Sequence, residues 1–153
     1  MFVFARGVSF NAMETQVPDL AALDAFAQGF AQRLQAGSAV AFHGSLGAGK
    51  TTLIRALVRV LHGTDAAVSS PTFVFRQRYD GAPPVEHLDL YRLEDRSELA
   101  ELGLEDAFGA DRVTFVEWPD RAPELLPPGA IQLRIAGSGD GPRTIVVEPA
   151  PGA

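Results

Sequence analysis

The fold is decided by residues 44–51, which read Gly44-Ser45-Leu46-Gly47-Ala48-Gly49-Lys50-Thr51. This run fits G-x-x-x-x-G-K-[ST], a pattern in which a glycine-rich loop cradles phosphates with its backbone N–H groups. Lys50 is the only lysine among the 13 basic residues, and the other 12 are arginines. The compact ammonium of lysine can follow phosphate oxygens on its flexible stem, and a planar guanidinium cannot replace it there. The sequence therefore predicts a nucleotide phosphate site at this loop.

The residues on either side of the loop predict the strand and the helix that such a motif requires. Residues 38–43 are a short apolar run, which indicates a buried parallel strand. Residues 51–62 carry apolar side chains at helical spacing before Gly63, which indicates an amphipathic helix. An earlier helix is expected behind the N-cap Asp19. Downstream we expect a hairpin of strands at 72–79 and 85–91, a helix at 96–102, and strands at 113–118, 131–135 and 144–147.

Length and composition indicate one globular domain. The chain has 153 residues, 46% of them hydrophobic and 21% charged, and its lack of cysteine excludes disulfides and thiolate metal sites. A net charge of −6 argues against a protein that grips nucleic acid by itself. With no membrane-length apolar run and no signal peptide, we expect a cytoplasmic protein without membrane contact. The domain is expected over residues 1–148, with 1–12 as an extension if Met13 is the natural start, and a flexible tail at 149–153.

The loop residues are expected to divide the work of holding a nucleotide. Three glycines let the backbone curl so that its N–H groups face the phosphates, and the positive end of the next helix faces the same anion. Thr51 is placed to ligate Mg²⁺ through its hydroxyl. Trp118, the only tryptophan, is either a packing residue or a wall of the site. The predicted nucleotide-binding residues are Ser45, Leu46, Gly47, Ala48, Gly49, Lys50, Thr51, Thr52 and Trp118.

Mg²⁺ at such a loop needs an acidic partner, and two carboxylates are candidates. Glu117 ends the apolar run 113–116, at the kind of strand end where open α/β sheets bind ligands. Asp89 alternates with His87 and Tyr91 on one face of a predicted strand. The alternative is that this strand is antiparallel and that one of its faces is exposed to solvent. Either carboxylate could orient the water that attacks the γ-phosphate, so both are predicted to be catalytic.

Absent motifs narrow the choice of nucleotide. Guanine-reading proteins use [NT]-K-x-D, which this chain lacks, so ATP is favoured. There is also no arginine-rich segment of the kind that small-molecule kinases close over phosphates. Residues 69–72 follow the P-loop helix, where NTPases often place a switch loop that senses the γ-phosphate. Four scattered arginines are interpreted as solvated side chains: Arg76, Arg78, Arg92 and Arg96.

Four blocks of the sequence together resemble the TsaE family, the bacterial ATPases of tRNA threonylcarbamoyladenosine biosynthesis. Three of the blocks are not generic P-loop sequence, and the likeness covers most of the chain. One departure is Ser45, where the family usually has an acidic residue. The family marks its adenine pocket poorly, and by position we look for it at residues 18–20 and around Arg134. The blocks, in the family's order, are Gly44–Thr52, Ser70–Phe73, His87–Leu93 and Glu117–Pro119.

The resemblance implies a small P-loop α/β domain with a mixed sheet of parallel and antiparallel strands flanked by helices. It implies Mg²⁺-dependent ATP hydrolysis in which Thr51 and Glu117 hold the metal. It also implies that Asp89 is needed for turnover and that Thr72 lies near the γ-phosphate. The implied partners are TsaB-like and TsaD-like proteins, with tRNA reached only through that complex.

Hydrolysis of a γ-phosphate depends on positioning and charge neutralisation more than on covalent chemistry. Lys50 and the loop amides are expected to hold the β- and γ-oxygens. No arginine finger is evident within the chain, so we expect ATP turnover to be slow in the isolated protein and faster with partners. ATP binding is expected to act as the switch that sets affinity for those partners. Two alternatives stay open: a small-molecule or nucleoside kinase, and a nucleotide-binding module that does not hydrolyse.

Overall fold

The structure is a computed structural model that describes residues 11–63 and 75–149. The predicted switch segment with Thr72, most of the N-terminal extension and most of the tail lie outside the described residues. Within the two described ranges, no helix combines the length and apolarity that crossing a bilayer requires. The assignment of residues 1–148 to one domain stays a prediction.

A short apolar strand, β2 at Ala39–His43, lies at the centre of the sheet. It pairs in parallel with β5 (Val113–Glu117) on one side and with β6 (Ile131–Ala136) on the other. Residues 39–42 are buried, as expected of a parallel strand that is covered on both faces. The predicted strand before the P-loop is therefore confirmed.

The remaining strands complete one mixed sheet. β4 (Val85–Asp89) runs parallel to β5, and β3 (Arg76–Tyr79) pairs antiparallel with β4. On the other side, β7 (Arg143–Glu148) pairs antiparallel with β6, and β1 (Met13–Val17) pairs antiparallel with β7. The order in the described residues is β1-β7-β6-β2-β5-β4-β3. The mixed α/β sheet expected from the sequence is confirmed.

The first strand, β1, is not predicted by the sequence. Among its five residues only Val17 is buried. Burial alternates along this edge strand, but the covered side carries Met13, the polar Thr15 and Val17, so the apolar signal in the sequence is weak. The hairpin of β3 and β4 is confirmed. Of the first predicted strand, at 72–79, residues 76–79 form β3 and residues 72–74 lie outside the described residues, and the second, at 85–91, ends at Asp89.

Two predicted helices cover one face of the sheet and are confirmed. The first, α1 (Leu20–Ala31), begins at the N-cap Asp19, whose carboxylate accepts a hydrogen bond from the Ala22 N–H at 2.8 Å. The second, α2 (Lys50–His62), begins after Gly49, whose φ of 105° lies in the left-handed region that favours glycine. Both helices bury their apolar sides against the sheet in one hydrophobic cluster.

The opposite face of the sheet carries a second hydrophobic cluster. Leu88 on β4 and Val116 on β5 belong to it, together with side chains from α3 (Ser97–Glu101) and the 3₁₀ turn at 104–107. Every residue of β4 is buried, because the strand lies between β5 and β3 and is covered on both faces. The alternative of a strand with one wet face is therefore wrong.

Glu86 on β4 is the partner of two arginines interpreted as solvated, of which Arg76 is partly buried and Arg78 is exposed. Its fully buried carboxylate accepts hydrogen bonds from Arg76 at 3.0 Å and from Arg78 at 3.2 Å. Arg112 adds a third cation, with its Nη1 3.6 Å from the same carboxylate. A buried charge is costly unless it is paired, so Arg76 and Arg78 neutralise Glu86 behind the sheet. Arg96, in contrast, is exposed as expected.

Loss of the α1 cap provides a test of how this helix is held. We expect Asp19→Ala to lower the free energy of unfolding by about 1 kcal/mol, because the Ala22 N–H loses its acceptor. Asp24→Ala is the matched control, since Asp24 is exposed within the same helix. Urea unfolding followed by circular dichroism measures both. Equal losses in the two variants would show that the cap does not stabilise α1.

Candidate functional site

The candidate site lies where three parallel strands end. β2 leads into the P-loop, β5 ends at Glu117 and β4 ends at Asp89. Asp89 and Glu117 are register partners on adjacent strands. Ligands of open α/β sheets bind in the crevice beyond such strand ends. A cavity of about 340 Å³ opens there, and the predicted site residues that line it are Leu46, Gly47, Gly49, Lys50, Thr51, Thr52, Asp89, Glu117 and Trp118.

The Lys50 ammonium is held inside the loop that precedes it. Lys50 is 5% exposed, and its Nζ donates to the carbonyl oxygens of Gly44 at 2.5 Å and Ser45 at 3.1 Å. Nζ also lies 4.1 Å from the centroid of the Trp118 ring, within cation–π distance. Burial lowers the pKa of Lys50, and the two carboxylates at the strand ends oppose that shift. The hydrogen-bond acceptors of the ammonium are neutral carbonyls, which phosphate oxygens could replace.

Thr51 and Glu117 bring a hydroxyl and a carboxylate together. The Thr51 hydroxyl donates to Glu117, with Oγ1 2.9 Å from Oε1 and 3.1 Å from Oε2. The Oε2 atom also lies 2.6 Å from Nε2 of His87, which donates to it when that nitrogen carries the proton. Glu117 and His87 are both buried. Both oxygens of the carboxylate thus have partners that fix its position.

This donor pair fits a hard divalent cation. Hydroxyl and carboxylate oxygens are ligands that Mg²⁺ accepts, and Mg²⁺ keeps several waters when few protein ligands are present. Within the described residues, no group of three or more His, Asp and Glu side chains forms a candidate metal cluster. The chemistry of Thr51 and Glu117 therefore suits Mg²⁺ better than an ion that needs a closed protein cage.

Asp89 and Trp118 form the opposite wall of the cavity. The Asp89 carboxylate is 4% exposed and accepts a hydrogen bond from the Tyr91 N–H at 3.0 Å. The Tyr91 and Trp118 rings lie 4.9 Å apart between centroids. Trp118 has φ 57° and ψ 49°, a left-handed conformation that non-glycine residues rarely adopt. Trp118 also packs against the second hydrophobic cluster, so it has both of the placements considered from the sequence.

The other predicted binding residues differ in their placement. Ser45 is exposed and contributes its carbonyl oxygen to Lys50 and to the Ala48 N–H. Ala48 is fully buried beneath the loop. Neither residue is among those lining the 340 Å³ cavity. Thr72 lies outside the described residues, so its place near a γ-phosphate stays a prediction.

A second cavity, of about 650 Å³, adjoins the loop on the side of α1. The predicted adenine-pocket residues 18–20 line it, together with Gly49 and Thr52. Arg134 is not among its lining residues. It is half exposed, with its Nε 3.8 Å from a Glu148 carboxylate oxygen. The neighbouring β6 residue Ile135 lines the cavity instead.

Two residues in contact with the site were given no role from the sequence. Strand alternation places His87 on the same face as Asp89, which the sequence alone predicts. Nothing in the sequence indicates that His87 contacts Glu117. Arg143 lines both cavities and donates from Nε to the Ala48 carbonyl at 2.7 Å. It lies 95 residues from Ala48 in the sequence, and only the pairing of β7 with β6 brings it to the loop.

Known proteins resemble this chain over most of its length. A family model described as "Threonylcarbamoyl adenosine biosynthesis protein TsaE" matches residues 17–145. Proteins named tRNA threonylcarbamoyladenosine biosynthesis protein TsaE are similar to it in several bacteria. The Synechocystis protein is 42% identical, with 75% of each chain covered. The Haemophilus influenzae protein is 34% identical, with 82% of each chain covered.

A solved structure has a similar fold. It is the crystal structure of Bacillus subtilis YdiB, which superposes with a TM-score of 0.74 at 27% sequence identity. The match covers 95% of this chain and 90% of that one. The extent of the family match, the identities to the relatives and the shared fold agree with the resemblance carried by the four sequence blocks. This chain belongs to the TsaE family.

Proposed function

We propose that this chain is a cytoplasmic, Mg²⁺-dependent ATPase that acts in threonylcarbamoyladenosine modification of tRNA. The observation that carries the proposal is the meeting of Lys50, Thr51, Glu117 and Asp89 at one cavity, in a chain of the TsaE family. ATP binding is the switch that sets affinity for TsaB-like and TsaD-like partners, and hydrolysis resets it. Contact with tRNA is indirect, through that complex.

In this mechanism the P-loop holds the triphosphate. The loop supplies backbone N–H groups, and Lys50 exchanges the carbonyls of Gly44 and Ser45 for β- and γ-phosphate oxygens. Trp118 bounds the cavity beside the ammonium. Thr51 and Glu117 would hold Mg²⁺, which would supply neutralisation of phosphate charge. Thr72 is assigned to the γ-phosphate end.

Asp89 is the group that orients the attacking water. The alternative is Glu117, whose two oxygens already contact Thr51 and His87 and are thereby suited to holding the metal. Asp89 lies beside Glu117 at the next strand end and lines the same cavity. A carboxylate at that place accepts a hydrogen bond from water and directs its lone pair at the phosphorus.

Turnover in the isolated protein is slow because, among the described residues, the arginine at the cavity is already bonded to the backbone. Arg143 is the one arginine among those lining the cavity, and its N–H groups donate to backbone carbonyls of the loop and of the β6–β7 turn. It is therefore engaged in the protein rather than available as an arginine finger. Transition-state charge is then left to Lys50 and Mg²⁺ until a partner contributes.

Phosphate release from ATP tests the proposal. We expect slow Mg²⁺-dependent release of free phosphate by the wild type, and faster release when TsaB and TsaD homologues are added. Lys50→Ala should lower the rate about 100-fold, since it removes a charge from the transition state. Arg59→Ala is the control, because Arg59 is exposed on the same helix and should leave the rate unchanged.

Three outcomes would contradict it. ADP that forms only when a nucleoside or small-molecule acceptor is added would indicate a kinase. ATP binding without phosphate release, even with both partners present, would indicate a non-hydrolysing module. Equal capture of the TsaB and TsaD homologues with and without ATP and Mg²⁺ would remove the switch.

Paired carboxamide substitutions separate the roles of the two carboxylates. Glu117→Gln should raise the Mg²⁺ concentration needed for half-maximal activity at least about tenfold, because a charged ligand is lost. Asp89→Asn should lower kcat about 100-fold and leave the Kd for ATP nearly unchanged. Titration of Mg²⁺ and equilibrium ATP binding measure the two effects. The reverse pattern, with the Mg²⁺ requirement changed in Asp89→Asn, would exchange the assignments.

A further inference from the structure

Arg143, the first residue of β7, joins the P-loop to the turn between β6 and β7. Its guanidinium lies where the 340 Å³ cavity meets the 650 Å³ cavity, since it lines both. Its guanidinium donates five hydrogen bonds to main-chain carbonyl oxygens. Two acceptors are in the P-loop and three are in the turn: Ala48 at 2.7 Å and Gly47 at 3.4 Å, then Gly141 at 2.6 Å, Gly139 at 2.8 Å and Ser138 at 3.2 Å.

These contacts fix the direction of peptide groups in the loop. In a planar trans peptide, the carbonyl of one residue and the N–H of the next point in opposite directions. Because the Ala48 carbonyl faces Arg143, the Gly49 N–H faces away from it. The Gly47 carbonyl is held in the same way, and the Ala48 N–H that follows donates to the Ser45 carbonyl at 3.0 Å. Rotation of the Ala48–Gly49 peptide would place a carbonyl where a phosphate needs a donor.

The backbone is shaped to admit this side chain. Gly137, with φ 133°, precedes the turn, and a Cβ there would lie 2.6 Å from Cδ of Arg143 and 2.5 Å from the Pro142 carbonyl oxygen. At Gly44, the first glycine of the loop, a Cβ would lie 2.7 Å from the Ile135 carbonyl oxygen. A larger residue therefore does not fit at Gly44, where the loop approaches β6, or at Gly137, where the hairpin closes on Arg143.

We propose that Arg143 is a positioning residue that holds the P-loop peptides in the orientation needed to receive phosphates. A guanidinium carries five N–H donors in a rigid fork, so one side chain can hold both the loop and the turn. A lysine at this place would keep the charge but not the fork. The inference takes its ligand, the phosphates of ATP, from the proposed function. The orientation of the loop in the nucleotide-free protein does not depend on that function.

The first experiment needs no nucleotide. Hydrogen–deuterium exchange is measured on the P-loop of the full chain as the wild type, Arg143→Ala and Arg143→Lys. Arg134→Ala is the matched control, because Arg134 is half exposed on the adjacent strand β6. We expect exchange of the loop amides to accelerate about tenfold or more in both Arg143 variants, since bonds from a charged donor are lost. Unchanged exchange in both variants would overturn the proposal.

The second experiment measures ATP affinity. In Arg143→Ala we expect the Kd to rise about tenfold or more, and kcat at saturating ATP to change less than about threefold. Millimolar guanidinium ion should restore the affinity of Arg143→Ala but not that of Lys50→Ala. Arg143→Lys keeps the aliphatic stem and the charge, so the Kd of this variant for ATP tests the positioning role if Arg143→Ala does not fold.

The outcomes separate this inference from the proposed function. If the wild type and Arg134→Ala fail to bind ATP, the proposed function is wrong, and amide exchange still tests the loop. If the wild type binds ATP and both Arg143 variants bind it equally well, the positioning role is wrong and the proposed function stands. A fall in kcat without a change in Kd would also contradict the role, because it would place Arg143 at the transition state.

Discussion

Parallel pairing of β2, β5 and β4 is the constraint on which the site depends. Because all three strands point the same way, the P-loop, Glu117 and Asp89 emerge at one edge of the sheet. The same pairing sets the register that makes Asp89 and Glu117 direct neighbours. Burial of β2 on both faces makes this arrangement rigid, so the loop begins from a fixed point.

Much of this arrangement could be predicted because its information is local in sequence. A glycine loop between an apolar run and an amphipathic run specifies β2 and α2, and a carboxylate after a second apolar run indicates a strand end. The edge strand β1 was not predicted, since Val17 alone is buried and the three residues before it are polar. The wet face considered for β4 failed because His87 and Asp89 are both buried, His87 against the Glu117 carboxylate and Asp89 at the cavity.

The parts of the site that could not be predicted depend on tertiary geometry. His87 and Glu117 are 30 residues apart, and Arg143 and Ala48 are 95 apart. Neither pair has a characteristic spacing in the sequence. His87 contacts Glu117 across two neighbouring strands, and Arg143 reaches the loop from the β6–β7 hairpin. The roles proposed for Lys50, Asp89 and Glu117 rest on the P-loop pattern, on the two strand ends and on the family resemblance, and all three residues line one cavity.

Trp118 touches the two sides of the protein at once. Its ring lies beside the Lys50 ammonium at the site, and it also packs against the apolar layer that Leu88 and Val116 form behind the sheet. The left-handed backbone at this residue turns the chain after β5 and places the ring between the ammonium and the apolar layer. Departure of the cation from the ring therefore changes the surroundings of a side chain that the far layer shares. The environment of this one side chain is thus set from two directions, by the ammonium at the site and by the apolar side chains behind the sheet.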